Sequence, residues 1–477
     1  MNRTISFYTI FYVGSLVFMR GSGILAKILL ARSITPFEYG LITLIVLSIP
    51  GALQIVTNFC FFDILGHTAE GRKYFSFSLL YGVLSTALIA MLLILGSNTF
   101  LAFLNIPSGQ GNLLIAVLLV VLFSVTLGGF IMGLLRGRKS HSMAASVSVA
   151  PSVLRLLFII CAVYLFGIAD FNTILWIFAL PPLIVLLGIF TLKWRVIVAS
   201  FRSVAVPRKE IFLFGFTAFI INAWMTLSQH LNRIVISHDL GVVWQGYFDV
   251  SLTLAAIITF FTSALYLVSI PESTGNNDRS ALFTSEGGLG DVGRILLSMT
   301  LFFVIVIYFY AYPLIDLLFS SDYAPAGDYL FIITAGYALL FVQQYVAYTS
   351  LSLSSDTPVT FLLISMASII AFPFFSHAMI LAFGFGGAYA ASALVILIYT
   401  ACTVFCMHDR TPLRILTARF DRLVLACIGA FTIMMVADLP LFPGTAVGGA
   451  VFLVLVVGLG YLNPTGLLYA AGKRKAE

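Results

Sequence analysis

Two stretches of the chain, PFEYGLITLIVLS at residues 36–48 and VVWQGYFDVSLTL at residues 242–254, share one pattern. Each places aromatic and polar residues before a glycine, Gly40 or Gly246, and continues into an apolar run. The two glycines are 206 residues apart, and the same offset carries the start of the first apolar run onto the seventh. Such repetition predicts two related halves, an architecture of membrane transporters in which the substrate path lies between the halves.

The composition of the whole chain also indicates a membrane protein. Of its 477 residues, 61% are apolar and only 9% are charged, whereas about a quarter of the residues of a soluble domain are charged. A water-soluble globule is therefore excluded. A transmembrane helix needs about 20 apolar residues, and the runs are continuously apolar, unlike the alternating strands of a membrane barrel. Fourteen spans are predicted: 7–31, 40–65, 75–96, 112–135, 143–168, 172–192, 212–236, 244–270, 294–319, 328–353, 359–383, 385–407, 422–438 and 444–462.

The spans and the repeat together predict an all-α polytopic membrane protein with about 14 transmembrane helices. Two pseudo-repeated six-helix bundles are expected at residues 1–192 and 212–407. A cytoplasmic basic linker, 193–211, joins them and has the position of a hinge. The remaining residues, 408–477, are expected to form two additional C-terminal helices and a cytoplasmic tail.

The distribution of basic residues predicts the orientation. The net charge is +6 and the isoelectric point is near 9.0, and cytoplasmic segments of membrane proteins carry an excess of Lys and Arg. With the N-terminus inside, 20 of the 25 basic residues fall on the cytoplasmic side. We therefore expect a multi-pass protein of the cell membrane with both termini in the cytoplasm. No basic stripe interleaved with aromatic residues occurs outside the spans, so nucleic acid is not an expected partner.

Basic residues inside the predicted helices are the first candidates for a binding site, because a charge at the bilayer centre costs at least about 2.5–3.5 kcal/mol. Arg20 and Lys27 are seven residues apart and share a face of the first helix. Arg155 lies midway along the fifth helix, on the face that carries Ser148 and Ser152. The 206-residue offset maps Lys27 onto Arg233 in the seventh helix. The halves would thus carry equivalent cations.

Polar stripes on two further helices extend this candidate site. The seventh helix carries Asn222, Thr226, Gln229 and Arg233, and the tenth carries Tyr337, Gln344, Tyr348 and Ser352. We interpret these stripes as facing a water-filled cavity. The predicted substrate-binding residues are Arg20, Lys27, Arg155, Arg233, Asn222, Thr226, Gln229 and Gln344. Few acidic residues are expected nearby, since Asp63 and Asp249 lie toward the ends of their helices. Such a cavity suits an anion, and the planar fork of arginine suits phosphate oxygens.

Structural interpretations of the same residues stay open. Arg20 and Arg155 are also explained as buried groups that hydrogen-bond to carbonyls and hydroxyls. Lys27, Arg32 and Arg233 are also explained as residues that extend to the outer membrane surface, and the polar stripes as helix-packing interfaces. His230, beside the stripe of the seventh helix, is consistent with either proton sensing or a hydrogen-bonded structural role.

Enzymatic chemistry has little support in the sequence. The six histidines and five cysteines show no metal-ligand spacing, and the chain contains no P-loop. The aspartates of the outer loops are too scattered to hold a metal and a sugar donor. We expect no catalytic residue, no metal and no cofactor.

Five segments of the chain resemble, in the expected order, the Wzx-type polysaccharide flippases. This family is part of the multidrug/oligosaccharidyl-lipid/polysaccharide exporter superfamily, and the resemblance spans about residues 5–407. The segments are ILLARSITPFEYGLITLIVLS (28–48), GLLRGRKSH (133–141), NRIVISHDLGVVWQGYFDVSLTL (232–254), LFSSDYAPAGDYL (318–330) and AFGFGGAYAASALVIL (382–397). One departure is Asn232, which stands where members commonly have an acidic residue.

The resemblance implies a flippase. Its substrate would be a polyprenyl phosphate- or pyrophosphate-linked oligosaccharide, carried from the inner to the outer leaflet by alternating access for surface polysaccharide or glycoprotein assembly. The expected surroundings are membrane lipids, with glycosyltransferase or polymerase partners. Two alternatives remain: a multidrug cation antiporter of the same superfamily, or a non-transporting membrane subunit of a polysaccharide assembly complex.

Overall fold

The computed structural model describes residues 18–67, 71–106, 111–138, 140–168, 170–200, 205–260, 289–353, 359–406 and 411–462. This part of the chain is almost entirely helical and contains no strand, which confirms the predicted all-α class. We number the long helices in chain order: α1 (18–31), α2 (Pro36–Asn58), α3 (Phe75–Leu95), α4 (Gly111–Gly137), α5 (Met143–Leu165), α6 (Phe171–Ser200), α7 (Lys209–Asp239), α8 (Val242–Ala255), α9 (Leu289–Leu318), α10 (Leu330–Leu353), α11 (359–383), α12 (385–406), α13 (Phe420–Ala437) and α14 (Leu441–Gly458).

Nine helices among the described residues are long and apolar enough to cross a membrane. The exposed face of α3 shows what surrounds them, because Leu80, Leu84, Leu88 and Leu92 follow one another at helical spacing and each is more than half exposed. An exposed apolar stripe on a helix long enough to cross a bilayer is typical of a face that lies against hydrocarbon. The protein is therefore a multi-pass membrane protein, while the count of fourteen crossings and the orientation of the termini stay predictions.

Local sequence signals explain where helices begin and break. The amide of Glu38 donates to Thr35 Oγ1, the amide of Thr35 donates to the Glu38 carboxylate at 3.0 Å, and Pro36 fills the first turn. This reciprocal cap satisfies donors that would otherwise be unpaired at the start of α2. The continuous helix Val359–Cys406 breaks at Gly384, whose φ of +58° suits glycine. The break coincides with the boundary predicted between the eleventh and twelfth spans.

The chain divides into two compact units. Unit 1 contains Met1–Val250 and Ser365–Ala391, and unit 2 contains Ser251–Ile364 and Ser392–Glu477. This division follows contacts and places α7 and most of α8 with α1–α6. The predicted repeat boundary at residue 212 therefore stays a prediction from the sequence. Within the predicted linker, α6 runs past a bend at Lys193 to Ser200, and α7 begins at Lys209.

The core of unit 1 lies around α4, which packs against α2, α3, α6 and the short helix Phe61–His67. Phe130 on α4 is fully buried and lies against Gly82 of α3, where any side chain would overlap its ring. In unit 2, α13 and α14 pack side by side and contact α9. Phe302 stacks on Phe452, and Tyr310 donates to the carbonyl of Leu439 at 2.9 Å.

Part of the predicted organisation lies outside the described residues. This applies to residues 7–17 of the first span, to residues 261–288, which include the end of the eighth predicted span, and to the tail beyond residue 462.

Candidate functional site

The site in unit 1 begins with a close approach of α2 and α8. A Cβ atom added at Gly40 would overlap the carbonyl oxygen of Val242, and one added at Gly246 would overlap the carbonyl oxygen of Pro36. Pro36 and Val242 are themselves 206 residues apart, as the glycines are. The contact is therefore reciprocal under the repeat offset, and the absence of side chains at both glycines allows the two backbones to meet.

Asp249 of α8 is a buried carboxylate three residues after Gly246. Its partners connect α8 to α1, α2 and α7. Lys27 of α1 places Nζ 2.8 Å from Oδ2, and Arg233 of α7 places Nη2 2.5 Å from Oδ1. The hydroxyl of Tyr39 of α2 donates to Oδ2 at 2.9 Å. Asp249 and Tyr39 are fully buried, and the Lys27 side chain is 16% exposed. We call these four residues the Asp249 cluster.

The polar residues around this cluster repeat across the two halves. Gln245 donates from Nε2 to Oγ1 of Thr43 at 3.2 Å, which mirrors the bond from Tyr39 to Asp249. The offset of 206 relates Tyr39 to Gln245 and Thr43 to Asp249, as it relates Lys27 to Arg233. The frame is thus symmetric, but a carboxylate stands at only one of the two equivalent positions. Both repeat-related cations point to that one acid.

The Asp249 cluster corrects one expectation from the sequence. Few acids were expected near the intramembrane cations, and this is wrong for Lys27 and Arg233, which both form ion pairs with Asp249. Ion pairing of these buried groups is expected on physical grounds. An isolated charge in a low-dielectric interior costs several kcal/mol, and a partner of opposite charge offsets part of that cost. Asp249 and Tyr39 were not among the predicted site residues.

Arg155 of α5 lies within electrostatic range of Lys27. Its Nε donates to the carbonyl of Phe178 on α6 at 2.9 Å, and its guanidinium lies 5.1 Å above the Phe178 ring. The hydrogen bond to a carbonyl is the kind of contact expected if Arg155 has a structural role. Among the described residues, however, Nη1 and Nη2 have no hydrogen-bond partner, so the outer edge of the fork is available to a ligand.

The packing of α1 against α5 places the predicted basic faces of these helices together. Gly23 of α1 lies opposite the hydroxyl of Ser152 on α5, 3.8 Å from where its Cβ would be. Arg20, Gly23 and Lys27 follow one another at the i, i+3, i+7 spacing of a single helix face. Arg20 is half-buried on this face. The structure thus brings the Lys27 side of α1 to Arg155.

The remaining predicted residues lie on α7 and α10. Gln229 is half-buried on α7. Asn222 and Thr226 lie in the helical backbone of α7, but their side chains fall outside the described part of the structure. Gln344 and Tyr337 of α10 are buried in unit 2. Within the residues described for unit 1, the structure assembles Lys27, Arg233 and Arg155.

Two neighbours of Arg233 on α7, His230 and Asn232, make contacts that hold helices together. The ring of His230 packs against Gly51, and its Nδ1 lies 3.5 Å from Nη1 of Arg233. The buried side chain of Asn232 donates to the carbonyl of Ala388 at 3.3 Å and accepts from the hydroxyl of Ser376 at 2.5 Å. Both polar atoms of the Asn232 amide therefore fasten α7 to α11 and α12. No group of three or more His, Cys, Asp or Glu in the described ranges is arranged to hold a metal.

Comparisons with solved structures identify the fold. The chain matches a structure described as lipid II flippase MurJ in an inward closed conformation, with a TM-score of 0.66, 14% identity, and coverage of 98% of this chain and 100% of the other. It also matches a multidrug resistance MATE family transporter of the MOP superfamily in an inward-facing conformation, with a TM-score of 0.59, 13% identity, and coverage of 86% and 99%. A structure of the MATE multidrug transporter DinF-BH matches with a TM-score of 0.57, 14% identity, and coverage of 86% and 96%.

A comparison with family profiles shows the family to which the chain belongs. No curated protein sequence gives a significant match. The profile of a family described as polysaccharide biosynthesis protein, in contrast, matches residues 29–328, which is more than half of the chain and includes both the glycine contact and most of the Asp249 cluster. The chain therefore belongs to the polysaccharide biosynthesis protein family.

Proposed function

We propose that the protein moves a polyprenyl phosphate- or pyrophosphate-linked oligosaccharide from the inner to the outer leaflet, for assembly of surface polysaccharide or glycoprotein. The observation that carries the proposal is the guanidinium of Arg155. It is held by one carbonyl bond and one aromatic ring, with its terminal nitrogens unbonded among the described residues and Lys27 within electrostatic range. A fixed fork with free N–H groups is suited to bidentate contact with phosphate oxygens.

The charges around Arg155 support an anion at this place. Lys27 and Arg233 share the carboxylate of Asp249, so these two ion pairs contain two basic groups and one acidic group. Arg155 adds a third basic group. Coulomb interactions are only weakly screened in such an interior, and an incoming phosphate would relieve the mutual repulsion of the cations.

The proposed mechanism is alternating access. The two repeat halves would rock about the 193–211 connection while the phosphate head group is held by Arg155 and Arg20. The lipid tail would remain in the bilayer throughout, and Lys27 and Arg233 would assist the anion on its way outward. Glycosyltransferases that build the lipid-linked oligosaccharide, or a polymerase that uses it after transport, are the proposed partners, and both termini are proposed to lie in the cytoplasm.

The test is the leaflet distribution of a lipid-linked oligosaccharide. Cells depleted of the protein are complemented with variants, and a membrane-impermeant sugar label reports the outer leaflet. Arg155→Ala is expected to leave the intermediate on the inner leaflet, and Arg155→Lys to restore transport only in part because the fork is lost. Arg32→Ala is the matched control, since Arg32 is exposed just after the C-terminal end of α1. Full transport by Arg155→Ala at normal expression would refute the phosphate site.

The same experiment separates the cation antiporter. A cation exporter needs a carboxylate that is available to its substrate, and Asp249 is already bound by Lys27, Arg233 and Tyr39. If the leaflet distribution does not change on depletion while efflux of small organic cations falls, the protein is an antiporter. Unchanged distribution and unchanged efflux would favour the non-transporting subunit.

A further inference from the structure

The Asp249 carboxylate is bound as a phosphate group would be bound. Its two oxygens are held separately, Oδ2 by Lys27 and Tyr39 and Oδ1 by Arg233. Three donors on three helices, α1, α2 and α7, thus converge on one anion that a fourth helix supplies. Lysine, tyrosine and arginine donors around a bridging oxyanion form a set typical of phosphate recognition.

We propose that Asp249 is the resting counter-ion of a two-cation phosphate site, and that the phosphate of the substrate replaces it on Lys27 and Arg233 during transport. This inference rests on the proposed function, since it assigns a role to the same substrate group. In the resting state the carboxylate neutralises the buried cations. In the loaded state a phosphate bridges them, and the carboxylate is released from at least one of them.

The repeat shows that the frame does not require an acid at this position. Thr43 occupies the equivalent place on α2 and receives the bond from Gln245 that corresponds to the bond from Tyr39 to Asp249. The fold therefore accommodates a neutral hydroxyl at one of the two equivalent positions. The fold therefore does not require the carboxylate at the other position. This carboxylate is the group that competes with an anionic ligand.

A competing carboxylate has a direct use in a transporter. Two cations that met phosphate without competition would hold it too tightly to release it. Asp249 lowers the net affinity because binding must break its two ion pairs, and it re-forms them when the phosphate departs. Removal of the negative charge is therefore expected to strengthen binding and to slow turnover.

The measurement is binding of two probes to the full-length protein in detergent by calorimetry. Inorganic pyrophosphate tests the free anion, and farnesyl pyrophosphate tests the lipid-linked form of the same chemistry. Asp249→Asn is expected to bind both probes at least tenfold more tightly than wild type if the site accepts the anion itself, or only farnesyl pyrophosphate if the tail is needed. The variant Lys27→Gln/Arg233→Gln is expected to bind both probes at least tenfold more weakly than wild type, because only Arg155 and Arg20 remain to hold the anion. Unchanged or weaker binding of both probes by a folded Asp249→Asn variant overturns the proposal.

Two further variants keep the test decisive if Asp249→Asn does not fold. Lys27→Gln/Asp249→Asn removes one cation with the acid, and it is expected to bind at least tenfold more tightly than Lys27→Gln alone because only the competitor differs between them. Equal binding by Lys27→Gln and Lys27→Gln/Asp249→Asn overturns the proposal.

The leaflet assay separates this inference from the proposed function. If Asp249→Asn binds the probes no more tightly while wild type still delivers oligosaccharide outward, Asp249 is a structural partner and the flippase proposal stands. If Asp249→Asn binds more tightly but depletion leaves the leaflet distribution unchanged, the anion site stands and its substrate is not the proposed one.

Discussion

Adding one methyl group at Gly40 tests the contact that brings α2 to α8. In Gly40→Ala the new Cβ would overlap the carbonyl oxygen of Val242 and lie 3.1 Å from the amide nitrogen of Gly246. Both obstacles are backbone atoms, which no rotamer change removes. The helices must therefore separate by about 1 Å, a gap that already loses a quarter to a half of each affected van der Waals contact.

The structure allows the cost to be worked out in outline. Overpacking in a close-packed region costs about 1–3 kcal/mol, and the upper end applies because the backbones themselves must move. The hydrogen bond from Tyr39 to Asp249 spans the same two helices at 2.9 Å, and a separation of about 1 Å would break it. We therefore expect Gly40→Ala to lower the free energy of unfolding by about 3 kcal/mol.

The reciprocity of the contact makes a sharper prediction. Gly246→Ala meets the carbonyl oxygen of Pro36 and should cost about as much as Gly40→Ala. Once either methyl group has separated the helices, the second enters space that is already open. The double variant should therefore cost clearly less than the sum of the two, as residues in direct contact commonly do.

The assay is denaturant unfolding of the purified protein in detergent micelles, with thermal unfolding as a second readout. Gly128→Ala is the matched control, because its added Cβ would meet no heavy atom within 4 Å and alanine favours the helix by up to about 1 kcal/mol. If Gly40→Ala and Gly246→Ala are as stable as wild type, or if their costs add in full, the close approach of α2 and α8 is refuted.

Three further substitutions test other parts of the structure. Tyr39→Phe removes a hydrogen bond to the Asp249 carboxylate and should destabilise the protein by about 2 kcal/mol in denaturant unfolding, with the exposed Tyr164→Phe as a neutral control. Asn232→Asp replaces an amide that donates to a backbone carbonyl with a group that cannot, so it should cost about 1–3 kcal/mol in the same measurement; a more stable variant would contradict the structural role. Arg422→Ala removes charged hydrogen bonds to two carbonyls beyond the end of α14 and should lower thermal stability by about 1–3 kcal/mol, and no change would mean that these bonds contribute nothing.

Hydropathy predicted the helical class and the break between the eleventh and twelfth spans because it acts locally. A run of apolar residues must be helical in a bilayer, since the backbone has no other way to satisfy its hydrogen bonds there. Gly384 ended a predicted span and is the residue at which the continuous helix breaks. The start of α2 was placed less well: the span was predicted from residue 40, whereas the Thr35 and Glu38 cap begins the helix at Pro36.

The partnership of Asp249 could not be predicted in the same way, because it depends on how tightly four helices pack. The sequence shows that Lys27 and Arg233 are equivalent, but not that both reach the same acid. The signal that was available is Asp249 itself, since a carboxylate inside a span costs as much as an arginine and requires a cation.

The glycine contact and the Asp249 cluster have a common origin in the repeat. Gly40 and Gly246 allow α2 and α8 to meet at equivalent points, and that meeting places Tyr39 within 2.9 Å of Asp249 and Gln245 within 3.2 Å of Thr43. Symmetry alone would have produced two equal polar pairs. The single carboxylate makes the pairs unequal, so the two repeat-related cations share one anion, and their excess charge is directed to one place rather than two. In the proposed flippase this one place would suit one head group at a time, and it arises because Asp249 stands where the repeat-related position has Thr43.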